Sequence, residues 1–333
     1  MLLPQTTRGV AGPRAPLHDT LNLPQASPAD SRAALILSQL VVGILALAGW
    51  TAPLQAGTIG IPNGSFESPL VPPVSPYAVL DIDYWQKSPQ PEDPRTGTFN
   101  NAPFPASFID NCDGDQAAFI FAFPDVALFQ DYNSIYGTNT APSHAFNARF
   151  NVNSAYSLTL GVIGGTNTAL YEGATLRFSL YYRDASSNIV TVAATTITNS
   201  AQLFPTNTHF VDFSVYVPGV QATDSWADQN IGVQIASTVS SDLANGYWDV
   251  DNVRLTETVL PALTNPRVTN SQFAFTLESQ PGLRFELLAS TNLASALSNW
   301  TSLGTLTNVT GTAPFLDPAT NLNRRFYRAR QLP

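Results

Sequence analysis

Two short carboxylate-bearing motifs stand about 180 residues apart in this chain. Glu67 closes Asn63-Gly64-Ser65-Phe66-Glu67, and Asp249 and Asp251 lie in Tyr247-Trp248-Asp249-Val250-Asp251-Asn252-Val253. Acids next to strand-forming apolar residues, with turn carbonyls close by, can serve a hard cation shared by a first and a last strand. A third acidic stretch, Asp110-Asn111-Cys112-Asp113-Gly114-Asp115, fails the calcium-loop spacing, because the twelfth position from Asp110 is Phe121 instead of Glu. It reads as a tight turn.

Aromatic rings are the other candidates. Sugar sites stack pyranose rings on aromatic faces, while amides and acids read the hydroxyls. Trp85, Tyr132, Tyr136, Tyr181, Tyr182, Trp226 and Trp248 are available. Trp226 sits in the polar run Thr223-Asp224-Ser225-Trp226-Ala227-Asp228-Gln229, which makes it the first choice. Tyr181 and Tyr182 are adjacent, so on a strand one of them faces outward. Aromatics in a sandwich more often pack its core, and Trp85 and Trp248 are expected there.

Catalytic patterns are missing. The three histidines have no partner pattern, and no nucleophile elbow, zinc-binding helix or phosphate loop occurs. The single cysteine, Cys112, excludes an intrachain disulfide, a redox pair and a thiolate zinc site. Glycoside hydrolysis needs only two carboxylates at a set separation, and nothing further supports it. The expectation is a protein that is not an enzyme.

The elements that must position these residues are strands. The chain has 333 residues, of which 12% are charged and 11% aromatic, with one lysine and many turn residues. That composition suits an extracellular all-β protein. Charge is unevenly spread. Residues 57–259 hold six cations against nineteen acids, whereas 260–333 hold six arginines against three acids. An acidic middle excludes a nucleic-acid footprint and is compatible with calcium and neutral polymers.

Residues 33–49 form an apolar run after Arg32, and small residues follow to Ala56. This reads as a secretory signal cleaved after Ala56, behind a Pro-rich extension, with no stable membrane span once it is removed; the alternatives are an uncleaved N-terminal anchor and a buried helix. From Gly57 on, alternating runs recur about every ten residues: 145–152, 157–162, 176–182, 189–193, 210–217 and 231–235, with 117–123 continuously apolar. Glu257 to Pro266, with two prolines, reads as a connection, and alternation resumes over the last 67 residues.

The motifs at 63–67 and 249–253, with Asp113-Gly114-Asp115-Gln116 before an apolar strand, resemble the galactose-binding-like β-sandwiches. That group includes carbohydrate-binding modules and exported bacterial proteins of PEP-CTERM type. The resemblance covers about 57–259. The terminal sorting signal of those exported proteins does not occur in this sequence, so their sorting route is not expected. The run from Pro281 to Leu293, with Asn299-Trp300 and Arg325-Phe326-Tyr327-Arg328, is similar to a terminal β-module of secreted Verrucomicrobia and Planctomycetes proteins. The sandwich resemblance implies a structural Ca2+ held by Glu67 and Asp251, with carbonyls near Asn63 and Ser65. The alternative is that Glu67 caps a turn and Asp251 lies solvated at a strand end. A bulge would let Asp249 replace Asp251.

The expected architecture is all-β. It has an extension and signal at 1–56, an antiparallel jelly-roll β-sandwich at 57–259, a linker at 260–266, and a second, smaller β-domain at 267–333. The expected function is a secreted or cell-surface, non-catalytic binding protein for a polysaccharide or other glycan, through Trp226, Tyr181 and Tyr182. The alternative is a structural or adhesive envelope protein that binds protein or matrix partners.

Overall fold

The computed structural model describes residues 56–88, 95–101, 108–137, 139–164, 170–270, 272–317 and 324–332. The signal expected at 33–56 therefore lies almost wholly outside the described residues. Among those described, no helix is long and apolar enough to cross a membrane. The described residues belong to one compact unit.

The fold is all-β, and every strand pairing in it is antiparallel. Twelve strands build a sandwich: β1 Gly57–Ile59, β2 Ala78–Val79, β3 Gln86–Ser88, β4 Thr96–Asn100, β5 Gln116–Phe121, β6 Ala127–Gln130, β7 Ser154–Gly164, β8 Thr175–Arg183, β9 Ile189–Thr198, β10 Val211–Val217, β11 Gly232–Ser237 and β12 Tyr247–Val259. One sheet runs β10-β7-β12-β5-β4-β2, with β1 also paired to β12; the other runs β3-β6-β11-β8-β9. The chain passes from one sheet to the other between β2 and β3, β3 and β4, β5 and β6, β6 and β7, β7 and β8, β9 and β10, β10 and β11, and β11 and β12. This is the jelly-roll pattern expected from many short strands with polar turns.

Alternation explains which face each strand buries. In β10, Val215 and Val217 are buried while Asp212, Ser214 and Tyr216 are exposed. Leu158, Leu160 and Val162 of β7, Leu176, Phe178 and Leu180 of β8, and Trp248, Val250 and Leu255 of β12 join one core between the sheets. Each such side chain contributes roughly 1.5–3 kcal/mol by leaving water. Trp85 and Trp248 are buried, as expected.

Six further strands follow: β13 Ala262–Thr269, β14 Gln272–Glu278, β15 Arg284–Ser290, β16 Thr301–Thr307, β17 Thr312–Leu316 and β18 Phe326–Leu332. They form two three-stranded sheets, β13-β14-β17 and β16-β15-β18, which share no strand with the sandwich. The linker expected at 260–266 is mostly β13. Its prolines mislead the sequence reading: Pro266 falls where the pairing register shifts, next to Asn265 at positive φ. A bulge on an edge strand accommodates a proline without losing the ladder.

Candidate functional site

The terminal motifs do meet. Glu67 follows β1, Asp251 lies within β12, and both turn toward the 112–116 turn that leads into β5. Asp115 N–H and Gln116 N–H donate to Glu67 Oε1 at 3.0 and 2.8 Å. Asp113 N–H donates to Asp251 Oδ2 at 2.6 Å, and Asn252 N–H donates to Oδ1 at 2.6 Å. Gly114 is required here. Its φ is +99°, and a Cβ would lie 2.4 Å from Glu67 Oε1. The register of β12 shifts just after Asp251, where Asn252 has positive φ. The bulge therefore comes after Asp251 and leaves that residue on the turn.

Asp251 is fully buried, which overturns the solvated alternative. Burial pushes its carboxyl up to about 7, against the pull of the Asp113 and Asn252 amides and the Cys112 thiol. Burial also raises Glu67, opposed by the Gln116 and Asp115 amides. The Asn63 carbonyl expected near a cation accepts from Phe66 N–H and from Trp85 Nε1–H at 3.0 Å. Both oxygens of Asp251 already accept backbone amides, whereas both donors to Glu67 fall on Oε1. Among the described residues, no group of three or more His, Cys, Asp or Glu could hold a metal. As placed, both carboxylates serve as acceptors for backbone amides.

A second polar cluster lies at one end of the five-stranded sheet, where β6 and β8 finish and β11 begins. A cleft of about 190 Å³ there is lined by Asp131, Tyr132, Asn133, Tyr181, Arg183, Asp184, Ser187, Gln229 and Asn230. Asp131 anchors it. Its Oδ2 accepts from Tyr181 Oη–H and from Arg183 Nε–H, both at 2.7 Å, and its Oδ1 accepts from Asn133 N–H at 2.8 Å. Arg183 also donates to the Ser187 carbonyl, and its guanidinium lies over the Phe129 and Tyr181 rings. Burial, then the Asp131 charge, raises the Tyr181 phenol far above its ordinary value, so it stays a donor. Tyr132 stacks on His144 with centroids 4.0 Å apart, and His144 Nδ1 donates to the Tyr132 carbonyl. By contrast, Asn230 Oδ1 is buried and has no hydrogen-bond partner.

Of the aromatic candidates, Tyr132 and Tyr181 line this cleft. Tyr181 lines it but is fully buried, so its phenol takes part and its ring face does not. The ring lies on Gly232, whose Cβ position is 2.2 Å from it. Tyr182 is half-buried and donates to Ser225 Oγ at 3.2 Å. Trp226 is half-buried against the core with its Nε1 enclosed, so it is no open platform. Its carbonyl accepts Gln229 N–H, which sets the turn presenting Gln229 and Asn230. Asp131, Arg183 and Asn230 were missed because no periodicity marks them. The available signal was polar turn chemistry directly after an apolar strand, as in Phe129-Gln130-Asp131-Tyr132-Asn133.

The outer face of the seven-stranded sheet is different. Phe119, Phe121, Phe123 and Tyr247 form a half-buried aromatic strip with neighbouring centroids 5.8–6.4 Å apart.

No family model matches this chain, and no curated protein matches it. Solved structures are similar over part of it. A cyclase from Fischerella sp. TAU is 18% identical with TM-score 0.45, covering 62% of this chain and 100% of its own. The CBM22-1 xylan-binding domain of Paenibacillus barcinonensis Xyn10C is 12% identical with TM-score 0.31, covering 54% and 87%. The CBM22-1–GH10 modules of Clostridium thermocellum xylanase 10B, complexed with xylohexaose, are 12% identical with TM-score 0.30, covering 59% and 30%. At these values none of them assigns a ligand or a reaction.

Proposed function

We propose that this is a secreted, non-catalytic binding protein that recognises a carbohydrate at the end of the five-stranded sheet. One observation carries the reading: a polar cleft lined by the side chains of Asn133, Gln229 and Asn230 stands over the Asp131–Tyr181–Arg183 cluster that fixes its floor. Amide side chains both donate and accept hydrogen bonds, which suits a ligand rich in hydroxyls. With the Tyr132 ring they give the mixture of hydroxyl-reading groups and apolar face that a sugar needs. Asp131 spends its oxygens on Tyr181, Arg183 and Asn133, which supports an architectural role over that of an acid or base. Export rests on the signal at 33–56.

The test is a glycan array, xylan among its polysaccharides, probed with the full-length protein. Binding to a subset of glycans is expected, and an array with no binding overturns the reading. The aromatic strip on the seven-stranded sheet favours a second reading, an adhesive envelope protein. Self-association that Phe121→Ser removes, together with a blank array, would support that instead.

A further inference from the structure

We infer that the carbohydrate is an extended chain of at least three units, lying across the end of the five-stranded sheet from Asn230 to Tyr136. The inference rests on the glycan reading of the cleft.

The cleft is small. At about 190 Å³ it falls below the 300–1,000 Å³ common for small-molecule sites, so it seats roughly one ring. Further aromatic surface lies beside it. The chain leaving β6 makes an excursion from Asp131 to His144. It is pinned by Ser143 N–H donating to the Ser134 carbonyl and by the Ile135–Pro142 bridge. The excursion carries Tyr132, stacked on His144 at its base, and Tyr136 near its tip. Tyr136 packs on Tyr84 with centroids 4.7 Å apart and is 42% exposed. Gln86 Nε2–H donates to the Ile135 carbonyl, tying the excursion to the start of β3.

The topology puts both features on one line. Gln86 opens β3 opposite Phe129, near the end of β6, and Gly232 opens β11 opposite Tyr181, near the end of β8. All four termini lie at the same end of the sheet, in the order β3-β6-β11-β8. Three strand spacings separate β3 from β8, roughly 14 Å. Four residues part Tyr132 from Tyr136, which also limits their separation to about 14 Å. The polar cleft, which includes Tyr132 stacked on His144, and the Tyr84–Tyr136 pair thus stand at the two ends of this line. A single terminal sugar in the cleft would leave the outer pair unused.

Calorimetry of the full-length protein with xylo- and cello-oligosaccharides of one to six units tests this. Affinity should rise at least tenfold from one unit to the longer chains. Tyr136→Ala should weaken the six-unit ligand by about tenfold and leave the single sugar unchanged, with Tyr136→Phe restoring binding. Equal affinity for one and six units, or an equal loss at every length in Tyr136→Ala, overturns the inference while the glycan reading stands. No binding by either series at any length overturns the inference, and overturns the glycan reading as well only if the array is also blank.

Discussion

Two clusters of buried polar groups in one sandwich differ in their balance. At the 112–116 turn, Glu67 and Asp251 receive four backbone N–H groups, and the set is closed on itself. At the end of the five-stranded sheet, Asp131 is likewise satisfied, but beside it Asn230 Oδ1 has no partner. A closed set holds the chain together, whereas an open one has capacity left for something else. Folding alone explains the first. The second opens on a cleft of about 190 Å³ lined by further polar side chains, and convergent polar groups in a cleft mark a candidate binding site.

The largest effect expected is on the closed set. Asp251→Ala leaves the Asp113 and Asn252 amides without acceptors where the carboxylate was fully buried. The loss should be about 3 kcal/mol in urea denaturation, at about 1–3 kcal/mol for each orphaned group. Glycan binding by the folded fraction should not change. A variant as stable as the parent would show that the turn is held by other contacts.

A smaller effect separates amide clasp from metal site. Burial raises Asp251 from 3.8 in the unfolded chain to about 7 in the fold. Between those values the folded state keeps a proton that the unfolded state has released, so stability from this group is full at low pH and is lost as pH rises through 7. A fall on the order of 2 kcal/mol between pH 5 and pH 8 is expected. It should vanish in Asp251→Ala. Chelator should leave the melting temperature unchanged. Calcium at Glu67 and Asp251 would favour the ionised form, reverse that slope and make the melt chelator-sensitive.

Much of this division was legible in the sequence. Alternation at 157–162 and 210–217 marked half-buried strands, and the motifs around Glu67 and Asp251 marked the meeting of first and last strands. The ligand of those acids was not legible, because carboxylate oxygens suit a cation and an amide equally well. Trp226 was misplaced because a polar run hides a ring that folds back on the core. Tyr181 was misjudged because adjacency on a strand assigns faces without showing what covers them; Gly232 and Asp131 come from other strands. The cleft is made of strand ends far apart in the chain, and only the pairing of β6, β11 and β8 joins them. Pro261 and Pro266 suggested a linker, since a sequence does not show a bulge that absorbs them.

The most direct measurement is on Asn230. It lines the cleft and is half-buried, so Asn230→Ala should shift the melting temperature little. If the cleft is the recognition point, the same variant should lose at least tenfold in affinity for the strongest array ligand, the equivalent of one charge-neutral hydrogen bond of about 1.4 kcal/mol. Unchanged affinity in Asn230→Ala, or a loss of binding matched by a loss of stability, would contradict the account.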